Sequence, residues 1–161
     1  MGFEPVVYFC NPNLDTETEF QKRLEAQKTI CKIFEVDLII ENYNHQEYLD
    51  FVCGLENEPE RGKRCDKCIE LRLAKAIKKA TELNIDTVTT SLVISPHKNF
   101  TKISELGEKL AKNEDINYLA IDFKKKDGFL KTNKLSKELN LYRQNYCGCE
   151  FAKNIVKNNS Q

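Results

Sequence analysis

The chain has 161 residues, 40% of them apolar and 31% charged, a composition that excludes a disordered chain and is typical of one soluble globular domain. Its 25 basic and 25 acidic side chains cancel, which excludes a global electrostatic attraction for nucleic acid and leaves only a local basic patch. No apolar run reaches the length of a membrane span, and residues 1–5 lack the pattern of a secretory signal, so we expect a cytoplasmic protein with reduced thiols.

Apolar runs separated by polar turns predict strands that alternate with helices. The predicted strands are, in chain order, 6–10, 36–40, 86–94 and 116–123. The predicted helices are one that Asp15 or Thr16 caps, with Phe20, Leu24, Cys31 and Phe34 on its apolar side, then 45–55, 63–83, 100–110 and 133–140. The long helix 63–83 carries a core stripe at helical spacing, made of Ile69, Leu73, Ile77 and Ala80.

This alternation predicts an α/β fold, a mainly parallel sheet with helices on both faces. We expect a single domain over 1–161, with a frayed polar tail at 157–161. In such sheets, binding sites form at the carboxyl ends of the strands. Cys10, the segment 95–99 and Asp122 follow predicted strands and are therefore candidate site positions.

The segment Cys65-Asp66-Lys67-Cys68 places two cysteines three positions apart at the start of the long helix. Cysteines at this spacing project to the same side, and a helix N-terminus stabilises thiolate charge. Such a pair can hold one metal ion, provide two ligands of a cluster, or form a redox disulfide. The alternative is two small residues at a helix start, which the polar neighbours Arg64, Asp66 and Lys67 disfavour.

A second pair stands in Cys147-Gly148-Cys149, where the glycine lets the backbone turn both sulfurs toward one point. The alternative is that both are buried core cysteines near the C-terminus. Two pairs give four thiolates, enough for a tetrahedral zinc ion or a [4Fe–4S] cluster. Their wide separation in sequence disfavours a small zinc knuckle, and a zinc site closed by tertiary structure stays open.

Three further cysteines lie outside these pairs. Cys31 is on an apolar helix face and Cys53 follows Phe51-Val52, so we expect both to be core residues. Cys10 ends a predicted strand, where burial is favoured and a place in the site is the alternative.

Several segments resemble the QueH type of epoxyqueuosine reductase, in the same order along the chain. The likeness extends from Val6 to about Ala152, and the last segment is the most specific. The matching segments are 9–13, 58–68, 71–73, 89–96 and 141–149.

The resemblance implies an oxidoreductase of queuosine biosynthesis, which reduces the epoxide of epoxyqueuosine at the wobble position of tRNA in the last step of that pathway. It also implies a [4Fe–4S] cluster and a fold similar to nucleotide-binding, HUP-like α/β proteins. By that likeness Cys65 and Cys68 are cluster ligands. Cys147 and Cys149 are then either a redox-active dithiol or ligands of a second metal ion, iron or zinc, beside the cluster.

The likeness has one departure. Family members begin with another strand and a loop with two adjacent cysteines that complete the cluster ligands, whereas this chain starts at what resembles their second strand. We therefore expect that element to be missing. Three explanations stay open: a reading frame that starts late, a shortened polypeptide, or a degenerate copy.

Reductive opening of an epoxide needs electrons and stabilisation of the departing oxygen. Arg143 and Asp122 are the candidates to orient the substrate or supply a proton. Their structural alternatives are a surface ion pair for Arg143 and a strand-end turn for Asp122.

The partners implied are tRNA carrying epoxyqueuosine and an electron donor, with no membrane. A basic stretch before Cys147 can contact tRNA phosphates, although such charge runs are most often solvated surface. It consists of Lys124, Lys125, Lys126, Lys131, Lys134 and Lys137.

Two other functions compete with reduction. A zinc-stabilised, four-cysteine domain would bind RNA or protein without catalysis. A sulfur-transfer enzyme of nucleotide-binding type is disfavoured, because the chain has no glycine-rich phosphate loop of either common form.

Overall fold

The structure is a computed structural model that describes residues 2–152. The predicted frayed tail, 157–161, lies outside the described residues. Within them the chain forms two compact units, one of residues 2–68 and 142–152 and the other of 69–141. The single domain over 1–161 stays a prediction. Across the described part of the chain, none of the helices combines the length and the apolar character needed to traverse a bilayer.

The first unit is built from two parallel strands and the helices that follow them. Strands β1 and β2 pair in the register Val6 with Asp37 through Phe9 with Ile40. Its core consists of Phe9, Leu14, Phe20 and Leu24, against which Leu38 and Tyr43 pack. In chain order its elements are β1 (Val6–Phe9), α1 (Glu17–Ile33), β2 (Asp37–Ile40), α2 (His45–Phe51) and the start of α3 (Lys63–Glu82).

Of the two candidate caps of α1, Thr16 is confirmed, because the Glu19 backbone N–H donates to its side-chain oxygen at 3.2 Å. Phe20 and Leu24 are buried as expected, whereas the prediction for Phe34 was wrong. Helix α1 ends at Ile33 and Phe34 is its C-cap, with the ring 54% exposed. The apolar side of the helix therefore stops one turn earlier than the spacing suggests.

The second unit contains the rest of α3 and a second pair of parallel strands. Thr87 pairs with Asn117 and Val88 with Tyr118. The predicted stripe of α3 is buried in full, from Ile69 to Ala80. The other elements are β3 (Thr87–Val88), α4 (Phe100–Lys112), β4 (Asn117–Tyr118) and α5 (Gly128–Glu138).

Two predicted strands of this unit are much shorter than expected. After β3 the Thr90 hydroxyl accepts a hydrogen bond from the Leu92 N–H at 3.2 Å, and Ser91–Ile94 form a 3-10 turn. Helix α5 begins earlier than its predicted start at 133, because a 3-10 turn at Lys125–Asp127 leads directly into it. In the segment 86–94, the capping hydroxyl of Thr90 thus outweighs the preference of the β-branched residues for a strand.

The α/β class and the parallel pairing are confirmed. Within residues 2–152 the strands form two two-stranded sheets that share no strand, so the sheet is smaller than predicted. The candidate cysteines 10, 65, 68, 147 and 149 all belong to the first unit.

Candidate thiol site

Cys65 and Cys68 lie in the first two turns of α3, as predicted. The Gly62 carbonyl accepts from the N–H groups of Cys65 and Asp66 at 3.0 and 3.2 Å, which starts the helix. The Arg61 backbone N–H donates to Cys65 Sγ at 3.2 Å. Both thiols are partly buried.

Arg64, between the loop and the first thiol, is the largest fully buried side chain, at 2% exposure. Its Nη1 donates to the carbonyls of Leu55 at 3.3 Å and Glu56 at 2.9 Å, and also to that of Glu58. Its guanidinium carbon lies 4.6 Å from the ring centroid of Phe151, two positions after Cys149. Arg64 therefore joins the start of α3 to the segment that carries the second thiol pair.

The Cys147-Gly148-Cys149 segment brings its two thiols into contact. The Cys149 S–H donates to Cys147, and this bond, together with burial, raises the pKa of Cys149. Cys149 is 5% exposed, whereas Cys147 is only partly buried. Gly148 has a φ of +114°, which an L side chain rarely adopts, and so allows this close approach.

One cysteine of the first pair acts electrostatically on Cys149 of the second pair. Cys68 is close enough that its negative charge contributes to the raised pKa of Cys149. Tyr48, 1% exposed, donates its hydroxyl to Cys149, and burial raises the pKa of this phenol, with the charges of Cys68 and Cys149 adding to the effect. The buried Arg64 opposes that shift. Two sulfurs more than 80 positions apart in sequence, 68 and 149, thus share one environment.

A histidine ties the segment after Cys149 to the end of β1. His45 Nδ1 lies 3.0 Å from the Pro12 carbonyl oxygen, and Nε2 lies 2.6 Å from Glu150 Oε2. Its ring stacks between those of Tyr43 and Tyr48. A carbonyl only accepts, so Nδ1 carries a proton and donates to Pro12. The Glu150 carboxyl is thereby held one residue beyond the buried thiol.

The three remaining cysteines differ from one another. Cys10 is buried and in hydrogen-bonding contact with Tyr8, whose pKa burial raises. Cys31 is buried on α1, as predicted, and accepts from the Gln27 side chain at 3.3 Å. The prediction that Cys53 is a core residue was wrong, because α2 ends at Phe51 and Cys53 lies exposed in the turn beyond it.

The candidate residues Arg143 and Asp122 lie in different units. Arg143 is exposed in the segment before Cys147. Asp122 belongs to the second unit, where its Oδ1 accepts from the Lys124 N–H and its carbonyl from the Lys125 N–H, each at 3.1 Å. These bonds form the turn that follows β4, which is the structural role foreseen as the alternative.

Four thiols are suitable ligands for an iron–sulfur cluster or a zinc ion, but here they are arranged as two pairs. Among residues 2–152, no three His, Cys, Asp or Glu side chains are grouped in a way that could hold a metal ion. A [4Fe–4S] cluster takes four thiolates. The described residues therefore do not by themselves make a complete cluster site.

Sequence patterns missed the side chains that hold the thiols. Arg64 is adjacent to Cys65 in a segment whose sequence is polar, yet its side chain is buried. The pairing of Arg23 with Glu19, four positions before it and beside the apolar residues Phe20 and Leu24, was also not predicted. The sequence signal for this ion pair is two opposite charges, four positions apart, beside the core residues of a helix.

Comparison with known proteins identifies the family. A sequence model described as epoxyqueuosine reductase QueH matches residues 1–155. The chain belongs to this family. It is 38% identical over 152 residues to a protein of that name from Streptococcus pyogenes, covering 91% of this chain and 60% of the relative.

Two further QueH relatives show the same likeness at different lengths. The protein from Helicobacter pylori is 34% identical, with 97% of this chain and 44% of the relative covered. The protein from Thermotoga maritima is 30% identical, with 90% and 77% covered. The chain thus spans 44% to 60% of the length of the first two QueH relatives and more of the third.

Thiol reactivity offers a direct test of this environment. Because only the thiolate is nucleophilic, burial and the raised pKa make Cys149 alkylate slower than exposed Cys53, on the order of tenfold or more at about pH 7.5. Iodoacetamide labelling followed by peptide mass spectrometry measures both rates in one sample. In urea the two rates should converge; equal rates in the folded protein would contradict the described environment of Cys149.

Proposed function

We propose that this chain reduces epoxyqueuosine to queuosine at the wobble position of tRNA, the last step of queuosine biosynthesis. Membership of the QueH family supports the reaction and the substrate. The observation that carries the proposal is the hydrogen-bonding contact between the Cys147 and Cys149 thiols, in the same unit as Cys68, whose charge acts on Cys149. Two thiols in contact are a two-electron reductant held at one point.

Such a dithiol supplies the electrons and protons that the reaction consumes. Conversion of an epoxide to an alkene breaks two carbon–oxygen bonds, consumes two electrons and two protons, and releases the oxygen as water. Oxidation of Cys147 and Cys149 to a disulfide supplies two electrons and two protons. A separate electron donor must then reduce the disulfide for another turnover.

Cys65 and Cys68 are proposed as two ligands of a [4Fe–4S] cluster, with Cys147 and Cys149 as ligands of a second iron or zinc ion if they do not cycle as a disulfide. Their spacing at the start of α3 supports this role, because side chains three positions apart on a helix lie on the same side. Such a cluster would supply single electrons to the reaction. Because the described residues bring no third ligand beside either pair, no step is assigned to it.

Arg143 and Asp122 are proposed to orient the substrate or supply a proton for the departing oxygen. Arg143 is supported by its exposure four residues before Cys147, where a charged substrate can reach it. Asp122 has weaker support, because its carboxylate already accepts the Lys124 N–H within its own turn.

The basic stretch of the second unit is proposed to contact tRNA phosphates in the cytoplasm. Over residues 124–138 it carries six lysines against two carboxylates. Lys124 is tied to the Lys98 carbonyl at 3.0 Å, and the other five lysines are exposed on the turn and on α5, a helix without a buried residue. Exposed cations on one short helix suit a polyanion.

Cys147→Ser should abolish epoxide reduction, because a single remaining thiol cannot form the intramolecular disulfide. The measurement is the queuosine to epoxyqueuosine ratio in digested tRNA, by mass spectrometry, after reaction with excess chemical reductant. Cys53→Ser, which changes an exposed cysteine of the same unit, is the matched control and should retain wild-type turnover. Near-normal turnover by Cys147→Ser would remove Cys147 from the reaction.

Neutralising two lysines of α5 should weaken tRNA binding. For Lys131→Gln with Lys134→Gln, we expect the slope of log affinity against log salt to fall by about 2, one for each lost phosphate contact. Lys109→Gln, at an exposed position on α4 of the same unit, is the control. An unchanged salt slope in the double variant would place tRNA elsewhere on the protein.

Metal content separates the enzyme from a zinc-stabilised binding domain. Anaerobically purified protein should carry iron and acid-labile sulfide that depend on both Cys65 and Cys68, the proposed cluster ligands. Elemental analysis and visible absorbance measure this in the wild type and in Cys65→Ser with Cys68→Ser. One colourless zinc ion per chain, without iron, would favour the binding domain.

A further inference from the structure

A buried ion pair on α1 takes no part in the proposed chemistry. Arg23 Nε donates to Glu19 Oε1 at 2.7 Å, and the two side chains are only 12% and 8% exposed. The Tyr142 hydroxyl donates to the other Glu19 oxygen at 2.7 Å. Burying two charges is costly unless their remaining hydrogen-bonding groups are satisfied. The other hydrogen-bond partners of Arg23 therefore indicate the structural role of the pair.

Both terminal nitrogens of Arg23 donate to the segment that carries the second thiol pair. Nη1 donates to the Cys147 carbonyl at 3.2 Å and Nη2 to the Tyr146 carbonyl at 3.3 Å, across 124 and 123 positions of sequence. The guanidinium also lies 5.6 Å from the centroid of the Tyr146 ring, whose hydroxyl donates to Asp15 at 2.9 Å. Arg23 thus holds the backbone on the N-terminal side of Gly148.

The backbone on the other side of Gly148 is held as well. The Asp15 N–H donates to the Gly148 carbonyl at 2.9 Å. A Cβ at Gly148 would lie 2.4 Å from Leu14 Cδ2 and 2.9 Å from Arg23 Nη2, so the turn is pressed against both side chains. Both peptide groups between the two cysteines are therefore anchored, one by Arg23 and one by Asp15.

We propose that Arg23 is a positioning residue that holds Cys147 and Cys149 in the geometry from which their disulfide forms, and so sets the reduction potential of the pair. The inference rests on the proposed redox use of these thiols. A disulfide needs its Cβ atoms about 3.5–4.5 Å apart, and a free Cys-Gly-Cys segment samples many other arrangements. Anchoring both peptides raises the effective concentration of one thiol at the other.

Loss of the Arg23 bonds therefore disfavours the disulfide. The exchange reaction is balanced: two thiols and one glutathione disulfide give one protein disulfide and two glutathione molecules, with both protons passing to glutathione. Freeing the Cys147–Gly148 peptide lowers the equilibrium constant of this exchange, and the pair becomes harder to oxidise. The change acts on the thiol couple alone and needs neither tRNA nor a cofactor.

The test is the equilibrium of the wild type and of Arg23→Gln with glutathione buffers, with thiols trapped by alkylation and the 147–149 peptide quantified by mass spectrometry. We expect the equilibrium constant to fall about tenfold in Arg23→Gln, a potential rise of about 30 mV. Arg23→Lys keeps a donor and should recover part of the loss. Lys28→Gln, at a position 46% exposed on the same helix, should match the wild type.

A second variant keeps the proposal falsifiable if Arg23→Gln does not fold. Gly148→Ala leaves every charge in place but pushes the turn away from Leu14 and Arg23, so it should shift the equilibrium in the same direction. Circular dichroism identifies the folded variants. An unchanged or increased equilibrium constant in a folded variant overturns the proposal, as does a wild type that forms no 147–149 disulfide in any buffer. A shifted equilibrium without epoxide reduction would contradict the proposed function only.

Discussion

The buried guanidinium of Arg64 is the interaction on which the thiol site depends. It satisfies the carbonyls of the loop before α3, and its charge lies over the Phe151 ring, so the helix start and the segment after Cys149 are held by one side chain. A buried, unpaired charge is costly, and here three carbonyl oxygens and an aromatic face compensate it. Because Arg64 immediately precedes Cys65, the position of the first thiol pair follows from this contact.

A second charged side chain does the same for the other pair. Arg23 reaches the backbone of Cys147 from α1, with Glu19 neutralising its charge. In both cases an arginine bonds to main-chain carbonyls, which no change of side chain at the partner position can remove. The cysteines are thus placed by contacts of the backbone around them.

Local patterns predicted the elements and the motifs well, because each depends on residues close in sequence. The Thr16 cap, the buried stripe of α3 and the cysteines at its start all follow from helical spacing. The strand predicted over 86–94 was too long, because the Thr90 hydroxyl competes with strand pairing. The prediction that Cys53 is a core residue was wrong because its exposure depends on where α2 ends. The end of a helix predicted from sequence is uncertain by a few residues.

The electrostatic effect of Cys68 on Cys149, and the hydrogen bond of Arg23 with the Cys147 carbonyl, were beyond such patterns, since partners 81 to 124 positions apart leave no periodic trace. The unequal exposure of Cys147 and Cys149 determines which of the two sulfurs is reached first from solvent. Tyr48 closes one side of Cys149, while Cys147 is partly open to solvent. In the proposed disulfide, the Cys147 sulfur is the one that an incoming reductant reaches first, and the buried Cys149 sulfur is then the leaving group.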